Sequence, residues 1–253
     1  MNKPRISAVI MTRDEARNIE AAIESLRFAE QIVVADTGSN DNTIKLAQNA
    51  GAEVHSIEFD GFGSSKNRAL EFCDGDWIFF LDADERVSPE LVRSIEGSVA
   101  DDSGYDGYAV NRLSYFLGKP VMHSGWYPDY VIRLFRKGRG KFSDRLVHEG
   151  VELNGPAGKL DGLLYHYSYE NLDQYIAKLN VYSRLNAEEM YKKGRKWHFR
   201  DLIVHPAATF VKMYILKAGF LDGINGFLLA ILSSYHVFVK YAKLRQLYRQ
   251  ANK

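Results

Sequence analysis

Short apolar runs alternate with amphipathic segments over the first hundred residues of the chain. A short, continuous apolar run predicts a buried strand, whereas apolar side chains three or four positions apart predict a helix. By these rules strands are predicted at residues 6–11, 31–35, 52–57 and 77–81, and helices at residues 15–26, 40–50 and 64–72. This alternation is typical of βαβ units, so we predict an α/β fold with a mainly parallel sheet and helices on both of its faces.

Two helix starts are marked by their residues. Ser64 provides a hydroxyl that is suited to capping the helix at residues 64–72. Ser88 is followed by Pro89 and Glu90, which give a capping hydroxyl, a proline at the first helical position and an acid in the first turn. The sequence therefore predicts a further helix directly after Ser88.

The pattern changes in the second half of the chain. Strand-like pieces at residues 131–135 and 160–167 are separated by glycines and prolines, and from Asn171 onward the spacing of apolar residues is helical almost throughout. We predict an α/β domain at residues 1–168, followed by a helical C-terminal region at residues 169–253.

Composition narrows the classes of function. The 253 residues are 46% hydrophobic and 26% charged, which is enough apolar material for a substantial core. The formal net charge is +1, so no overall positive field indicates binding of nucleic acid. Cys73 is the single cysteine, which excludes an internal disulfide and a cysteine metal site and suits a reducing compartment. The apolar run at residues 6–11 is too short for a signal peptide, so we expect a cytoplasmic protein.

Carboxylates follow the fourth predicted strand directly. The strand at residues 77–81 is entirely apolar and runs into Asp82, Ala83, Asp84 and Glu85. Ligands of open α/β sheets bind at the carboxyl ends of the strands, so two acids one residue apart are suited to share a hard cation with a diphosphate. Mg²⁺ or Mn²⁺ is the expected cation. The alternative interpretation is an exposed acidic turn that caps the next helix.

Neighbouring residues argue against two other carboxylate sites. A phosphatase of the haloacid dehalogenase type needs a hydroxyl residue two positions after the second aspartate, where this chain has Arg86. A calcium-binding EF-hand needs oxygen ligands and a glycine at fixed spacings, which the residues after Asp84 do not supply. A nucleotidyltransferase of similar α/β fold stays as a rival function, although the chain lacks the glycine-rich basic loop that such enzymes usually carry after strand one.

Polar residues also follow the other predicted strands. Asp36 ends the second strand and precedes a polar turn, which suits contact with a nucleobase or ribose and equally suits plain turn chemistry. Lys66 and Arg68 lie near the start of the third helix, and a helix N-terminus with basic side chains favours anions. Three polar residues follow the first strand and are expected at the same edge of the sheet: Thr12, Arg13 and Glu15.

These four segments together resemble the nucleotide-sugar-binding half of the family 2 glycosyltransferases, which have the GT-A fold. The match runs in the family's order and spacing from Ile6 to the start of the helix after Ser88. The resemblance implies four roles: base contact for Asp36, uracil or diphosphate contact for Arg68, ribose or diphosphate contact for Asp82, and metal binding for Asp84. The adjacent residues Thr12, Arg13, Glu15, Lys66 and Ala83 are then expected to bind the donor as well.

The chain departs from the family pattern at two positions. Thr37 stands where many members have a second aspartate, and Asp14 stands where the related pattern often has asparagine. Because Thr37 replaces that aspartate, the resemblance leaves open which nucleotide the donor carries.

The second half is similar to a narrower subgroup, the bacterial lipopolysaccharide inner-core glucosyltransferases. The segments that carry this similarity are residues 126–129, 132–136, 147–149, 164–167 and 219–223. The similarity implies transfer of glucose from UDP-glucose to a heptose of the lipopolysaccharide inner core, a lipid-linked saccharide. Another membrane glycan is the alternative acceptor.

An inverting transferase needs a carboxylate that accepts the proton of the attacking hydroxyl. The resemblance implies that this base lies in the second half of the chain. Family members usually carry this acid in a Glu-Asp pair, and His148 and Glu149 occupy the corresponding place here. We expect Glu149 to be the base, with Asp129 as the alternative. The resemblance also implies His166 as a further metal ligand, because GT-A enzymes often place a histidine late in the fold; a histidine packed in the core is the alternative.

The helical tail contains a long uncharged segment. Residues 223–239 include no Asp, Glu, Lys or Arg, and as a helix they would be about 26 Å long, against about 30 Å for the hydrocarbon core of a bilayer. Asn225 and His236 lie within the segment and argue against a full span. Basic residues flank it on both sides, which favours peripheral docking on the inner face of the cytoplasmic membrane. The alternative is a helix packed on its own core or in a dimer interface.

Overall fold

The computed structural model describes residues 3–101, 104–143 and 150–251. The chain forms two compact units. The first comprises the chain up to Arg112 together with Asp129–His166, and the second comprises Leu113–Pro128 and the described chain from Tyr167 onward. The segment Leu113–Pro128 thus joins the helical unit, although it lies within the range that the sequence assigns to the α/β domain.

The elements of the described residues follow the predicted alternation. The strands are β1 Ile6–Thr12, β2 Gln31–Asp36, β3 Glu53–Ser56, β4 Trp77–Asp82, β5 Glu85–Val87, β6 Gly107–Phe116, β7 Lys119–Pro120, β8 Asp129–Arg136, β9 Gly140–Phe142, β10 Val151–Leu153 and β11 Ala157–Tyr169. The α-helices are α1 Ile19–Glu24, α2 Thr43–Asn49, α3 Phe62–Leu70, α4 Pro89–Ala100, α5 Leu172–Lys192, α6 Val204–Phe210 and α7 Gly223–Ala251. Short helical turns of other types lie at Phe199–Leu202, Val211–Leu216 and Gly219–Asp222.

The main sheet of the described residues runs in the order β3-β2-β1-β4-β8-β6-β11-β5, with β7 paired to β6. Strands β3, β2, β1 and β4 are parallel to one another. Beyond β4 the pairings of β8 with β4, of β6 with β8 and of β5 with β11 are antiparallel. A parallel block linked by helices and extended by antiparallel strands confirms the predicted α/β fold.

The central strands β1 and β4 are apolar along almost their whole length because both of their faces are buried. On one face Ala8 and Ile10 belong to a core that includes α1, α2 and α4. On the other face Val9 and Phe80 belong to a core that includes α3 and Phe142 of β9. Helices therefore cover both faces of the sheet, and polar side chains are presented at the ends of the strands.

Two helices begin later than predicted because the side chains of Asp41 and Thr43 accept hydrogen bonds from backbone N–H groups at their starts. The helix expected from residue 15 begins at Ile19, where the N–H of Glu15 donates to Thr43 and the N–H of Ala16 donates to Asp41. The helix expected from residue 40 begins at Thr43, whose own N–H donates to Asp41 at 2.9 Å. The same two side chains thus define both helix starts.

The prediction that Ser64 caps the third helix is wrong. This helix begins at Phe62, after Gly61, and Ser64 lies inside its first turn, where the hydroxyl donates to Asp60. Gly61 has a φ of +124°, a conformation that glycine adopts far more readily than other residues. Ser88 does cap α4, because its hydroxyl accepts a hydrogen bond from a backbone N–H in the first turn.

The second unit is built around the helix pair α5 and α7. Leu179 of α5 packs with Leu229 of α7 in one cluster, and Ala187 packs with Tyr241 in another. The turn before α7 is held by Asp222, whose carboxylate accepts hydrogen bonds from backbone N–H groups at 3.1 and 3.0 Å. The helical C-terminal region predicted from the sequence is confirmed, and its two longest helices lie side by side.

Candidate active site

The polar residues that follow the parallel strands are brought to one edge of the sheet. In the register of β1 and β2, Thr12 lies opposite Asp36, and in the register of β1 and β4, Met11 lies opposite Asp82. Neighbouring strands are about 4.8 Å apart. Asp36, Thr12 and Asp82 therefore occupy adjacent places in one row, which is where donor binding is expected.

Asp36 is buried and shapes the turn that follows it. Its Oδ2 accepts hydrogen bonds from the N–H groups of Gly38 and Ser39, each at 2.9 Å, and its Oδ1 accepts one from the Ser39 hydroxyl. Gly38 has a φ of +97°, which lets the chain turn back toward the carboxylate. Asp36 therefore holds its own loop at the edge of the sheet, in the manner of an Asx turn.

Thr12 carries a buried hydroxyl beside this turn. Its carbonyl accepts hydrogen bonds from the N–H and the hydroxyl of Thr37, at 3.0 and 3.1 Å. Its own Oγ1 has no hydrogen-bond partner among the described residues, although it is buried. An unsatisfied buried hydroxyl is costly to a fold, so its retention at this edge is consistent with a ligand that supplies the missing hydrogen bond.

The loops after β1 and β2 are tied to each other. Asp14 has a φ of +54°, its N–H donates to Ser39 at 2.8 Å, and its Oδ1 accepts from the N–H of Asn40 at 2.7 Å. Glu15 accepts a hydrogen bond from the Asn18 amide at 2.7 Å. Arg13, the remaining polar residue after β1, is more than half exposed and lies 3.8 Å from Asp14. These bonds hold the loop after β1 next to the Asp36 turn.

Asp82 lies between two cations. Its Oδ2 accepts a 2.6 Å hydrogen bond from Arg133, and its Oδ1 is 3.8 Å from Nζ of Lys66. Burial would by itself raise the pKa of Asp82, but the charges of Arg133 and Lys66 and the hydrogen bond outweigh it and hold the pKa below the ordinary 3.8. Lys66 also lies over the rings of Phe80 and Phe142, at 5.1 and 5.3 Å. Asp82 is therefore an anion at neutral pH, with cations beside it.

A chain of ion pairs extends from Asp82 into the interior. Glu85 is fully buried. Its Oε1 accepts a hydrogen bond from Arg133 at 2.6 Å and lies 3.4 Å from Arg112. Its Oε2 accepts a hydrogen bond from the backbone N–H of Asp82 at 3.1 Å. Arg112 donates in turn to Asp129 at 2.7 and 2.9 Å. Burial alone would lower the pKa of Arg133, but Glu85 and Asp82 outweigh it and raise that pKa above its ordinary value. We call these five residues the charge network.

Three members of the charge network were not assigned a role from the sequence: Glu85, Arg112 and Arg133. The available signal was Arg133, which interrupts the apolar run of β8 between Ile132 and Leu134. A buried arginine needs a carboxylate partner. The sequence does not say which of its many acids that partner is, because Glu85 lies 48 residues earlier in the chain.

Asp84 and His166 form the pair that is best suited to a divalent cation. Pairing of β11 with β5 puts His166 opposite Glu85, and this brings Nε2 of His166 to 3.4 Å from Oδ2 of Asp84. The described residues contain no group of three or more His, Cys, Asp or Glu side chains arranged to hold a metal. The carboxylate of Asp84 nevertheless suits Mg²⁺ or Mn²⁺, which usually completes its coordination with phosphate oxygens and water.

Arg68 and Ala83, both predicted to bind the donor, contact other parts of the protein. Arg68 lies 2.6 Å from Asp60 and donates to the carbonyl of Glu58 at 3.0 Å, so it braces the loop that leads into α3. Ala83 is buried, and its carbonyl accepts a 2.8 Å hydrogen bond from Arg86. That bond fixes the backbone between the two aspartates.

Of the two candidate bases, only Asp129 lies within the described residues. Glu149 and His148 lie outside the described residues. Asp129 begins β8, and its Oδ2 accepts both hydrogen bonds from Arg112. Both of these bonds use Oδ2, so Oδ1 is the carboxylate oxygen that Arg112 does not hold.

Known sequences place the chain among sugar-transferring enzymes. The profile described as glycosyl transferase family 2 matches residues 7–150. The chain is 31% identical to the lipopolysaccharide core biosynthesis glycosyltransferase LpsC of Rhizobium meliloti (strain 1021), over 95% of this chain and 92% of that protein. It is 30% identical to the uncharacterized glycosyltransferase RT0209 of Rickettsia typhi (strain ATCC VR-144 / Wilmington), over 96% of this chain and 87% of that protein.

Among solved structures, the chain is similar to the glucosyl-3-phosphoglycerate synthase of Mycobacterium tuberculosis, in a crystal with Mn²⁺, uridine diphosphate and glucosyl-3-phosphoglycerate. The similarity has a TM-score of 0.38 and 26% sequence identity, and it covers 44% of each chain.

Proposed function

Because the chain belongs to glycosyl transferase family 2, we propose that it is a metal-dependent, inverting hexosyltransferase that takes glucose from UDP-glucose. The proposed acceptor is a lipid-linked saccharide at the inner face of the cytoplasmic membrane, most specifically a heptose of the lipopolysaccharide inner core. The resemblance of the second half to inner-core glucosyltransferases and the similarity to a lipopolysaccharide core enzyme support this acceptor.

One observation carries the proposal: the acids predicted to bind the donor lie at adjacent strand ends. In the sheet register Asp36 lies opposite Thr12 and Asp82 lies opposite the neighbouring Met11, and Asp84 lies 3.4 Å from His166 just beyond them. In a parallel sheet this edge is where ligands bind. Two acids beside a histidine, with Lys66 near, match the needs of a donor that carries a diphosphate.

Each side chain has a separate task in the proposed reaction. Asp84 and His166 would hold the cation, which when bound neutralises charge on the departing nucleoside diphosphate. Lys66 adds a fixed positive charge at the same edge, and Asp36 holds the loop that would border the base. Hydrogen bonds already hold Asp82 and the loop after Asp36 before the donor arrives, so little reorganisation of these parts is needed during transfer.

The proposed base is Glu149, with Asp129 as the alternative. The base must take the proton of the attacking hydroxyl on the side of the anomeric carbon opposite to the diphosphate. Asp129 already uses Oδ2 to hold Arg112, which favours a structural role for it. Glu149 is proposed as the base because it occupies the place of the catalytic acid in the family that the chain resembles.

Donor binding tests the proposal directly. The full chain is screened against nucleotide-sugars by thermal unfolding, with and without Mn²⁺. A ligand at 100 times its dissociation constant stabilises the folded state by about 2.7 kcal/mol, so the donor should raise the melting temperature measurably. We expect the largest rise with UDP-glucose plus Mn²⁺ and none in the variant Asp84→Asn. The matched control is Asp161→Asn, an exposed acid on the same strand as His166.

The base is tested by transfer kinetics. Glu149→Gln should lower kcat by about a hundredfold or more while leaving donor binding intact, because only proton transfer is lost. Asp129→Asn should lower it less. If Glu149→Gln keeps near-normal turnover and Asp129→Asn does not, the base is Asp129. If no nucleotide-sugar stabilises the protein and none is hydrolysed, the transferase proposal itself is wrong.

A further inference from the structure

Exposed apolar side chains are concentrated in one stretch of the second unit. Of the 22 large hydrophobic side chains exposed in the described residues, 13 lie between Phe199 and Phe238. The most exposed of those from Val211 onward are Leu216 at 73%, Ile224 at 66% and Leu221 at 61%. Soluble proteins scatter such residues singly, whereas a contiguous apolar patch marks a contact surface.

The exposed positions follow the helical repeat. Along α7 they fall at intervals of three and four, so they form a single stripe along the helix. A second stripe runs from α6 through the turn Val211–Leu216 and continues into the turn Gly219–Asp222. We call the two stripes together the apolar face; its residues are Val204, Val211, Ile215, Leu216, Phe220, Leu221, Ile224, Phe227, Ile231, Tyr235 and Phe238.

Aromatic contacts join the two stripes into one surface. Phe227 of α7 contacts the rings of Phe210 and Tyr214, with centroid distances of 6.1 and 5.6 Å. Tyr214 also contacts Phe220, at 6.3 Å. The exposed side chains on either side of this seam therefore border each other.

The charges around the apolar face have one sign. Residues 199–251 contain seven Lys or Arg and two Asp. Both aspartates are buried and engaged: Asp201 is 2% exposed and lies 3.2 Å from His205, and Asp222 is 6% exposed and accepts backbone hydrogen bonds. Lys212 and Lys217 are exposed. The solvent-facing charge of this stretch is therefore positive, which complements anionic lipid.

Helix α7 is suited to lie along a membrane and not to cross it. The helical stretch Gly219–Ala251 is long and apolar enough to span, and only 22% of its most apolar window is buried. Its other face, however, packs along α5, which carries charged residues throughout, including Arg184 and Glu188. A crossing would carry those charges into hydrocarbon at a cost of several kcal/mol.

We propose that the apolar face is a membrane-insertion surface, which holds α6 and α7 in the plane of a bilayer that contains anionic lipid. The purpose of such a surface rests on the proposed function, because a lipid-linked acceptor is reached from the membrane. A second copy of the chain fits less well, since a symmetric dimer through this face would bring one positively charged rim against another.

Flotation of the full chain with lipid vesicles tests the proposal without any nucleotide-sugar. We expect the protein to float with vesicles of 30% phosphatidylglycerol in phosphatidylcholine and much less with phosphatidylcholine alone. Combined Leu216→Ser, Leu221→Ser and Ile224→Ser should weaken binding by about thirtyfold or more, since each exposed chain loses its transfer into lipid. Lys212→Gln with Lys217→Gln should weaken it less, and only at low salt.

The matched control removes apolar residues elsewhere in the same unit. Leu172→Ser with Val181→Ser changes exposed positions of α5, outside the apolar face, and should float like the wild type. Wild-type protein that stays in solution with anionic vesicles would overturn the proposal, as would normal flotation of the triple variant. A wild-type dimer that the triple variant converts to monomer would assign the face to self-association instead.

A labelling experiment keeps the test valid if the triple variant unfolds. Cys73 is buried and its pKa is raised by that burial to about 12, so a thiol-reactive fluorophore goes to an introduced cysteine. A fluorophore at Ile224→Cys should shift to the blue on addition of anionic vesicles, whereas one at Val181→Cys should not. Equal responses at the two sites would overturn the proposal. Donor hydrolysis in solution should be unchanged in both, which separates this proposal from the proposed function.

Discussion

The strand ends of the first unit and the helices of the second unit differ in the side chains that they present: charged pairs at the first and exposed apolar residues at the second. At the strand ends, Asp82, Glu85 and Asp129 each face an arginine, and two of the three carboxylates share Arg133. Over residues 199–238 the exposed side chains are largely apolar, and the acids are buried. In the two proposals above, the first surface would meet a charged ligand and the second an apolar medium.

This difference predicts which substitutions should affect stability or catalysis. Charges that are held in place before binding stabilise a developing charge without reorganisation, but each one that loses its partner leaves a buried ion behind. Exposed apolar side chains make few contacts within the protein. Changes in the charge network should therefore damage the fold or the chemistry, and changes in the apolar face should damage neither.

The largest effect is expected at Asp84. Asp84→Ala should lower sugar transfer by about a thousandfold or more, because one of the two proposed protein ligands for the cation is lost. The melting temperature without ligand should change little, since the side chain is part-exposed at the end of the sheet. Transfer is measured as release of nucleoside diphosphate at saturating donor, with Asp161→Asn as the control. Retention of more than a tenth of the activity would exclude Asp84 as a metal ligand.

The next largest effect is expected on stability, at Arg133. Arg133→Met leaves Asp82 and the fully buried Glu85 without their shared partner, so the free energy of unfolding should fall by about 3–5 kcal/mol. Urea unfolding measures this. The control is Arg93→Met, whose partner Glu90 is exposed and 3.4 Å away, and which should cost about 1 kcal/mol or less. Equal costs for the two variants would mean that the charge network contributes no more than a surface pair.

These sites also show how far the sequence alone could lead. The strands, the acids that follow them and the row they form were predictable, because apolar runs identify strands and parallel strands end at one edge. Asp36 and Asp82 are therefore where the pattern implies. The start of α1 was not predictable, because it is decided by Asp41 and Thr43, which lie just before and at the start of α2, more than twenty residues later in the chain.

Neither the charge network nor the apolar face could be predicted from local sequence patterns, because both depend on tertiary packing. The position of Arg133 in an apolar strand predicts a buried carboxylate partner. The sequence alone does not identify that partner as Glu85, because the two are brought together by strands far apart in the chain. The long uncharged segment at residues 223–239 indicates an apolar helix, but it does not say which side packs on α5. That division depends on tertiary packing, which leaves Ile224 and Phe227 outward and Leu229 inward.

A smaller effect is expected from pH in the second unit. Burial alone would raise the pKa of Asp201, but the N–H of His198 and the charges of Arg195, His205 and His198 outweigh it and lower that pKa below the ordinary 3.8. Its stabilising contribution is therefore complete above the ordinary value and is lost as the pH falls toward the lowered one.

The comparison that isolates Asp201 is a matched pair of unfolding curves. Between about pH 5 and pH 3 the wild type should lose more stability than Asp201→Asn, because the asparagine has no proton to take up. Asp161→Asn, at an exposed position of the first unit, should follow the wild-type curve. Parallel curves for all three proteins would show that Asp201 does not contribute to the acid sensitivity of the fold.

The smallest effect is expected from the apolar face itself, in solution. The combined change Leu216→Ser, Leu221→Ser and Ile224→Ser alters side chains that are 61–73% exposed, so each should shift the free energy of unfolding by about 0.5 kcal/mol or less. Leu229→Ser, one turn away on the packed side of α7, should cost several times more, because it buries a hydroxyl in a filled core. Urea unfolding in the absence of lipid measures both. If the exposed changes cost as much as the buried one, these side chains pack against the protein, and the contrast between the two units loses its basis.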